Sequence, residues 1–277
     1  MKTKIVDYFN EKIGHALISY IESTNLIEIR LRINKPLTLI SKDKIVNVKE
    51  CIVSKQDISD TFNLITGYSA YAFENQIKNG YISVPGGHRI GLGGQVIFEQ
   101  GQVVTIKNIG FLNFRISHEI KGCGMSVYNK IKNNIGSILI ISPPGLGKTT
   151  LLRDLIRILS SDYNISVVDE RNEISGSYLG EPTNDLGINT DVIYDSPKYI
   201  GIIHCIRSLN PSIVAVDEIG TQEDINAIKT ALNSGVMVFA TIHSDSIEKT
   251  INKIGQEVFS EFQNVILIKG IGDYVWC

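Results

Sequence analysis

A glycine-rich loop in the middle of the chain has residue types that can bind phosphate. It reads Ser142-Pro-Pro-Gly-Leu-Gly-Lys148-Thr149-Thr150 and lies between the apolar run Ile138–Ile141 and a segment with helical apolar spacing. In a P-loop, backbone N–H groups and the N-terminus of the next helix converge on phosphate oxygens. Serine replaces the first glycine of the usual G-x-x-x-x-G-K-[ST] pattern, but the phosphate-binding half is intact. The loop therefore predicts a nucleotide site.

Two later apolar runs end in acidic residues that could serve such a site. The run SIVAVDE ends in Asp217 and Glu218, the Walker B pattern, in which the aspartate supports the Mg²⁺ shell. The adjacent glutamate can accept a hydrogen bond from the attacking water. The run VVDERNE contains Asp169 and Glu170, which could help to hold Mg²⁺ and order water. A loop of solvated surface charges explains this second pair equally well.

Four basic side chains are candidates for contacts with phosphate. His243 ends a third apolar run, ATIHS, where a neutral imidazole could donate a hydrogen bond to the γ-phosphate. A cation supplied across a subunit boundary can stabilise charge on the transferring phosphoryl group. Arg89, Arg115 and Arg207 are candidates for that role, although a surface salt bridge is an ordinary alternative for each.

The elements that would position these residues begin near Lys121. From there, five apolar runs alternate with helical segments, and this alternation predicts a mostly parallel sheet covered by helices on both faces. The predicted strands are Ile138–Ile141, Ile165–Val168, Ile213–Val216, Val236–Thr241 and Val265–Ile268. Ligands of such sheets bind at the carboxyl ends of the strands, where the motifs lie.

The first part of the chain has a mixed, α+β pattern. Apolar residues four apart from Ile5 to Ile21 predict one amphipathic helix, and a second helical stretch runs from Asp57 to Lys78. The predicted strands and glycine-rich strand pairs are Glu28–Ile33, Leu37–Ser41, Tyr81–Gly94, Gln95–Lys107 and Phe111–Ile116. We therefore predict a smaller domain at residues 1–118 and a nucleotide-binding domain at residues 119–277.

Composition limits the classes of protein that the chain can represent. The 277 residues carry a net charge of −2, which gives no reason for strong attraction to nucleic acid. Residues 1–116 carry 14 Lys and Arg against 10 Asp and Glu, whereas the remainder carries 13 against 19. A nucleotide-regulated nucleic-acid-binding protein is thus an alternative with little support. The four cysteines are far apart, as expected of reduced thiols without a metal.

The apolar runs also bear on location. None reaches the ~20 residues needed to span a bilayer, and charges interrupt the N-terminal region where a signal peptide would lie. We therefore expect a cytoplasmic protein with no membrane span of its own. Any action at a membrane would need a partner that holds the protein there.

The motifs together resemble those of the secretion ATPase superfamily. After the P-loop, the segments VVDERNEI, VAVDEIG and ATIHS follow in the order of that superfamily's Asp box, Walker B and His box. Segments along most of the chain, among them EIRLRINKPL, VPGGHRIGLGG and DLGINTDVIYDSPKYIG, resemble its family of stage III sporulation AA proteins from endospore-forming bacteria. Serine at the first P-loop position is that family's own form of the motif.

The resemblance implies an ATP-binding and ATP-hydrolysing motor with ATP and Mg²⁺ as cofactors. It implies a smaller α+β domain before a RecA-like P-loop domain, assembled as a homo-oligomer, a ring of six. The motor would lie at the inner membrane face on the mother-cell side, with the membrane proteins of a secretion-like sporulation channel as partners. Nucleic acid is not an expected partner. A structural ring that binds ATP and hardly turns it over is a further possibility.

The resemblance also implies a role for each site residue. The catalytic candidates are Glu218, Lys148, Glu170 and Arg115. The nucleotide-binding candidates are Ser142, Pro143, Pro144, Gly145, Leu146, Gly147, Lys148, Thr149, Thr150 and His243. The Mg²⁺ candidates are Thr149, Asp217 and Asp169. Glu173 belongs with Asp169 and Glu170 in the implied Asp box.

Overall fold

The computed structural model describes residues 5–21, 26–118, 120–178 and 180–277. The chain divides into two compact units, residues 1–118 and 119–277. Within the described residues, none of the helices has both the length and the apolar character needed to cross a bilayer.

The first unit is a six-stranded antiparallel sheet with helices on one face. Its strands are β1 Leu26–Arg32, β2 Pro36–Ser41, β3 Ile45–Ile52, β4 Tyr81–Val84, β5 His88–Glu99 and β6 Gln102–Arg115, in the spatial order β3-β2-β1-β6-β5-β4. Its helices are α1 Glu11–Ile21, α2 Lys55–Ile65 and α3 Glu74–Lys78, with 3₁₀ turns at Ile5–Tyr8 and Ala70–Phe73. On β1, Ile29 and Leu31 are buried while Arg30 and Arg32 lie on the opposite face, as strand alternation requires.

Both helices predicted for this unit are shorter than the apolar pattern indicated. The first begins at Glu11, because the side chain of Asn10 accepts a hydrogen bond from the N–H of Ile13 at 3.1 Å. The second stops at Ile65, because Gly67 and Tyr68 have positive φ angles of 55° and 61°. Local capping and turn geometry therefore end helices that apolar spacing alone would continue.

The strand pattern of the first unit also differs from the prediction. The segments predicted as Gln95–Lys107 and Phe111–Ile116 are not separate strands, because β6 continues from Gln102 to Arg115 and pairs with β5 along most of its length. Strand β3 was not predicted. It lies at a sheet edge with most of its residues exposed, so it lacks the apolar alternation that marks a half-buried strand.

The second unit is built on a seven-stranded, mostly parallel sheet. Its strands are β7 Ile138–Ser142, β8 Ile165–Asp169, β9 Thr190–Tyr194, β10 Ile213–Val216, β11 Met237–His243, β12 Asn264–Gly270 and β13 Asp273–Trp276. The spatial order is β13-β12-β7-β11-β10-β8-β9, and only β13 runs antiparallel to its neighbour among the described strands. The five predicted strands are confirmed, and the unpredicted β9 and β13 occupy the two edges.

Helices cover both faces of this sheet. They are α4 Met125–Ile131, α5 Lys148–Leu159, α6 Lys198–Ser208, α7 Gln222–Asn233, α8 Ile247–Ile254 and α9 Gln256–Ser260. Ile138 and Ile140 of β7 pack in the core with α4 and α5, whereas Leu139 and Ile141 pack in the core with α6 to α9. A strand buried on both faces is apolar throughout, which is why these strands were visible in the sequence.

Candidate nucleotide site

The glycine-rich loop connects the end of β7 to the start of α5. Gly145 and Gly147 have φ angles of 81° and 88°, a region that residues with a Cβ rarely adopt. Lys148 begins α5 directly after Gly147, so the loop lies at the positive end of the helix dipole. Loop and helix together form the anion-binding geometry that the sequence predicts.

Ser142 stabilises the start of the loop. It is fully buried at the end of β7, and its hydroxyl donates a 2.7 Å hydrogen bond to the carbonyl oxygen of Pro143. This contact favours a role in shaping the loop over the direct ligand contact predicted for Ser142.

Asp217 joins the loop to the neighbouring strands. The hydroxyl of Thr149 donates to Asp217 Oδ2 at 2.8 Å, and Lys148 Nζ lies 3.4 Å from Asp217 Oδ1. The hydroxyl of Thr241, at the end of β11, also donates to Asp217. Lys148 is 8% exposed, so this pair lies in a partly desolvated environment where charges interact more strongly than in water.

The same residues provide the donor set that Mg²⁺ prefers. Hydroxyl and carboxylate oxygens of Thr149 and Asp217 lie side by side at the loop, and Mg²⁺ in nucleotide sites takes one or two carboxylates together with substrate phosphates. Within the described part of the chain, no cluster of three or more His, Cys, Asp or Glu side chains could hold a metal without such a substrate.

Glu218 is held in an unusual conformation beside this network. Its φ angle of 51° is in the left-handed region, which costs energy for a residue with a side chain. Its backbone N–H donates to Thr241 Oγ1 at 2.8 Å, while its carboxylate accepts from Arg171 Nη1 at 2.8 Å. His243 Nε2 lies 3.8 Å from the same carboxylate. The surrounding contacts thus maintain a conformation that the residue alone would avoid.

His243 lies between the loop strand and Glu218. It pairs with Ser142 in the parallel register of β11 and β7, and its Nδ1 is 3.4 Å from the Ser142 carbonyl oxygen. The structure therefore brings the end of the third predicted run next to the P-loop, as the strand order β7-β11-β10 requires.

The two acids at the end of β8 differ sharply in environment. Asp169 is 1% exposed, and its carboxylate accepts backbone N–H bonds from Glu173, Ile174 and Ser175 and a hydroxyl bond from Ser175. These bonds satisfy both oxygens within the following loop, a geometry that favours a structural role over the predicted Mg²⁺ contact. Glu170, in contrast, is partly exposed and pairs with Lys198.

An adjoining cavity of about 390 Å³ was not visible in the sequence. It is lined by Ile120, Cys123, Ser126, Gly145, Leu146, Gly147, Thr150, Ile271, Gly272 and Tyr274. The loop residues thus form one wall, while segments far apart in the sequence form the others. Burial raises the pKa of the Cys123 thiol to about 11, so this lining residue is uncharged at neutral pH. Such a surface suits an uncharged ring system next to bound phosphates.

Two of the three predicted arginines belong to the first unit and one belongs to the second. Arg115 is exposed at the end of β6, and Arg89 of β5 lies 4.1 Å from the Tyr81 ring centre, both within the first unit. Arg207 is exposed in the last turn of α6.

Three residues of the site itself were not predicted from the sequence: Arg171, Lys198 and Thr241. Of these, Thr241 follows an apolar run, as the other polar site residues do.

Comparison with known proteins identifies the family. The family model described as "Sporulation stage III, protein AA" matches residues 2–272. Stage III sporulation protein AA of Bacillus subtilis (strain 168) is 37% identical over 233 residues, which cover 82% of this chain and 76% of that protein. The type IV pilus retraction ATPase PilT of Pseudomonas aeruginosa is 28% identical over 124 residues, 43% of this chain and 34% of that protein.

Solved structures support the fold. The Legionella pneumophila ATPase DotB aligns with a TM-score of 0.62 at 19% identity, covering 92% of this chain and 75% of that one. The pilus retraction motor PilT with bound ADP aligns with a TM-score of 0.61 at 19% identity, covering 96% and 78%. The second unit therefore has the RecA-like P-loop fold of the secretion ATPases, and the chain belongs to the sporulation stage III protein AA family.

Proposed function

We propose that the chain binds MgATP and hydrolyses it as the motor of a secretion-like apparatus in endospore formation. The observation that carries the proposal is the Asp217 network, which joins Lys148 and Thr149 of the P-loop to the end of β10. Glu218 lies next to that network, and its contacts hold its backbone in a left-handed conformation. Family membership and the nucleotide-binding relatives support the same activity.

In the proposed reaction, the loop and Lys148 bind the phosphates, and the cavity beside the loop takes the nucleoside. Thr149 and Asp217 would hold Mg²⁺, which neutralises developing charge on the phosphates. Glu218 orients the attacking water and accepts its proton. The water oxygen forms a bond to the γ-phosphorus while the bond to the bridging oxygen breaks, and its electron pair leaves with ADP. His243 contacts the γ-phosphate, and Glu170 helps to order the water.

The assembly and location are further parts of the proposal. We propose a homo-hexamer in which residues 1–118 form an assembly domain and Arg115 reaches the nucleotide of a neighbouring subunit. The ring would work at the inner membrane face of the mother cell, held there by membrane proteins of the channel. Light scattering with and without ATP measures the assembly, and a monomer at all protein and nucleotide concentrations would contradict it.

The test of the activity separates binding from hydrolysis. We expect Lys148→Ala to lose nucleotide binding, and Glu218→Gln to bind MgATP normally but release phosphate at least a hundredfold more slowly. Fluorescent-nucleotide titration and phosphate release measure the two quantities. Lys229→Ala is the control, because Lys229 pairs with Glu257 on an exposed surface of the same unit. Unchanged turnover in Glu218→Gln would contradict water activation by Glu218.

A nucleic-acid-binding protein remains the alternative function. The structure brings Arg30, Arg32, Arg89 and Arg115 to one face of the first sheet, where the sequence showed only scattered charges. Filter binding of single-stranded DNA or RNA at several salt concentrations tests this alternative, and salt-sensitive affinity would support it.

A further inference from the structure

A buried lysine, Lys198, lies beside the proposed site, and its charge does not stabilise the helix that contains it. Lys198 is the first residue of α6, and its side chain is 9% exposed. A cation at a helix N-terminus opposes the helix dipole, and burying a charged group costs free energy unless it is paired. Helix stability therefore does not explain this residue.

Close packing of α6 on β8 determines where the lysine lies. A Cβ on Gly201 would come within 2.4 Å of Val168 Cγ1, so only glycine allows this approach of helix to strand. Val168 precedes the acidic strand end by one residue. The contact holds the N-terminus of α6 next to Glu170, and Lys198 Nζ pairs with the Glu170 carboxylate.

The pair borders a small cavity of about 10 Å³. Its lining residues are Asp169, Glu170, Arg171, Lys198, Asp217 and Glu218. That volume is roughly the space required by a single water molecule, and the lining supplies several hydrogen-bonding partners. The two carboxylates that we propose to act on water, Glu170 and Glu218, thus face one cavity of water size.

We infer that Lys198 is a positioning residue for ATP hydrolysis, holding the Glu170 carboxylate at the water-sized cavity opposite Glu218. The inference rests on the proposed function. Glu170 is 41% exposed on its side chain, so without the lysine it is free to turn toward solvent. Lys198 keeps it directed into the site, so that two carboxylates orient the same water.

A kinetic double-mutant cycle tests this role. Lys198→Met keeps the length and apolar stem of the side chain and removes its charge. We expect kcat to fall at least tenfold, with KM and nucleotide Kd changed less than about twofold, because the pair acts on the water and not on nucleotide binding. Lys198→Arg should recover most of the rate. The double variant Lys198→Met/Glu170→Gln should be no slower than Glu170→Gln alone.

Controls distinguish positioning from a structural role. Lys229→Met removes the cation of an exposed lysine–glutamate pair in the same unit and should leave kcat unchanged. Thermal unfolding of every variant checks the fold. If Lys198→Met does not fold, Lys198→Arg and the exposed Glu170→Gln still test the inference, because Glu170→Gln must lower kcat at unchanged Kd.

The failures of the two proposals differ. Wild-type kcat in Lys198→Met, or losses that simply add in the double variant, would overturn the inference about Lys198. Absence of ATP hydrolysis in the wild-type protein, or full activity in Lys148→Ala, would overturn the proposed function itself.

Discussion

At the scale of single residues, Thr241 holds the candidate site together. Its hydroxyl accepts the N–H of Glu218 and donates to the carboxylate of Asp217, although it was not among the predicted site residues. One buried hydroxyl thus connects the proposed Mg²⁺ ligand to the proposed water-activating residue. It also satisfies a backbone donor in a strained segment, where an unpaired group would be costly.

We therefore expect Thr241→Val to weaken both stability and Mg²⁺-dependent nucleotide binding. Valine has the same shape but leaves the Glu218 N–H without its acceptor, at a cost of about 1–3 kcal/mol. Urea unfolding measures the stability, and nucleotide titration at several Mg²⁺ concentrations measures the binding. Thr241→Ser keeps the hydroxyl and is the control. Equal behaviour of the valine and serine variants would argue against this account.

At the scale of elements, the carboxyl ends of parallel strands assemble the site. The loop follows β7, Asp217 and Glu218 follow β10, and Thr241 and His243 lie at the end of β11, which runs between those two strands. Each of these strands is apolar until its last residues, so the polar side chains of the site lie only where the strands end. The left-handed glycines of the loop then turn the chain from strand to helix within a few residues.

Gly147→Ala tests the conformational part of this arrangement. Apart from its chain neighbours, no atom of the described residues lies within 4 Å of an added Cβ, so the expected cost comes from the φ of 88° and is about 1–2 kcal/mol. We expect lower stability and weaker nucleotide binding, because relaxation of the strain moves the loop N–H groups. Thermal unfolding and nucleotide titration measure these effects.

Gly235→Ala is the matched control. Gly235 has a φ of 77° and equally open surroundings, but it follows α7 in a turn outside the site. It should lose similar stability and keep nucleotide affinity. Equal loss of affinity in both variants would show that the effect is one of general stability.

At the scale of the whole molecule, a buried histidine in the first unit makes stability depend on pH. In the first unit, burial, with a smaller contribution from the charge of His118, lowers the pKa of His88 from 6.5 to about 4. The Ser117 N–H donates to His88 Nδ1 at 3.0 Å, so protonation of that nitrogen would break the bond. The folded unit therefore prefers the neutral imidazole.

We expect the first unit to lose stability as the pH falls from about 6.5 to about 4. In that window the unfolded chain takes up a proton at His88 and the folded unit does not, so the loss is on the order of 3 kcal/mol. Urea unfolding of the full chain across this range measures it. His88→Gln should flatten the dependence, whereas the exposed His15→Gln should not. An unchanged pH profile in His88→Gln would contradict this assignment.

The amino-acid sequence alone determined the buried parallel strands, the P-loop and the acidic strand ends. These depend on short runs, because a strand covered on both faces must be apolar and a phosphate loop must have glycine at its turns. The sequence also indicated the family, because whole segments resemble those of the stage III sporulation AA proteins. Edge strands β3, β9 and β13 escaped prediction because half-exposed strands do not need an apolar pattern.

Only the tertiary structure decided which polar residues meet. The loop, Asp217 and Thr241 are far apart in the sequence and come together because parallel strands end at one edge of the sheet. The same packing turns Asp169 into the following loop and brings Lys198 to Glu170. The P-loop could therefore be recognised in the sequence. Its contacts with other residues could not, because they form between segments that no local pattern brings together.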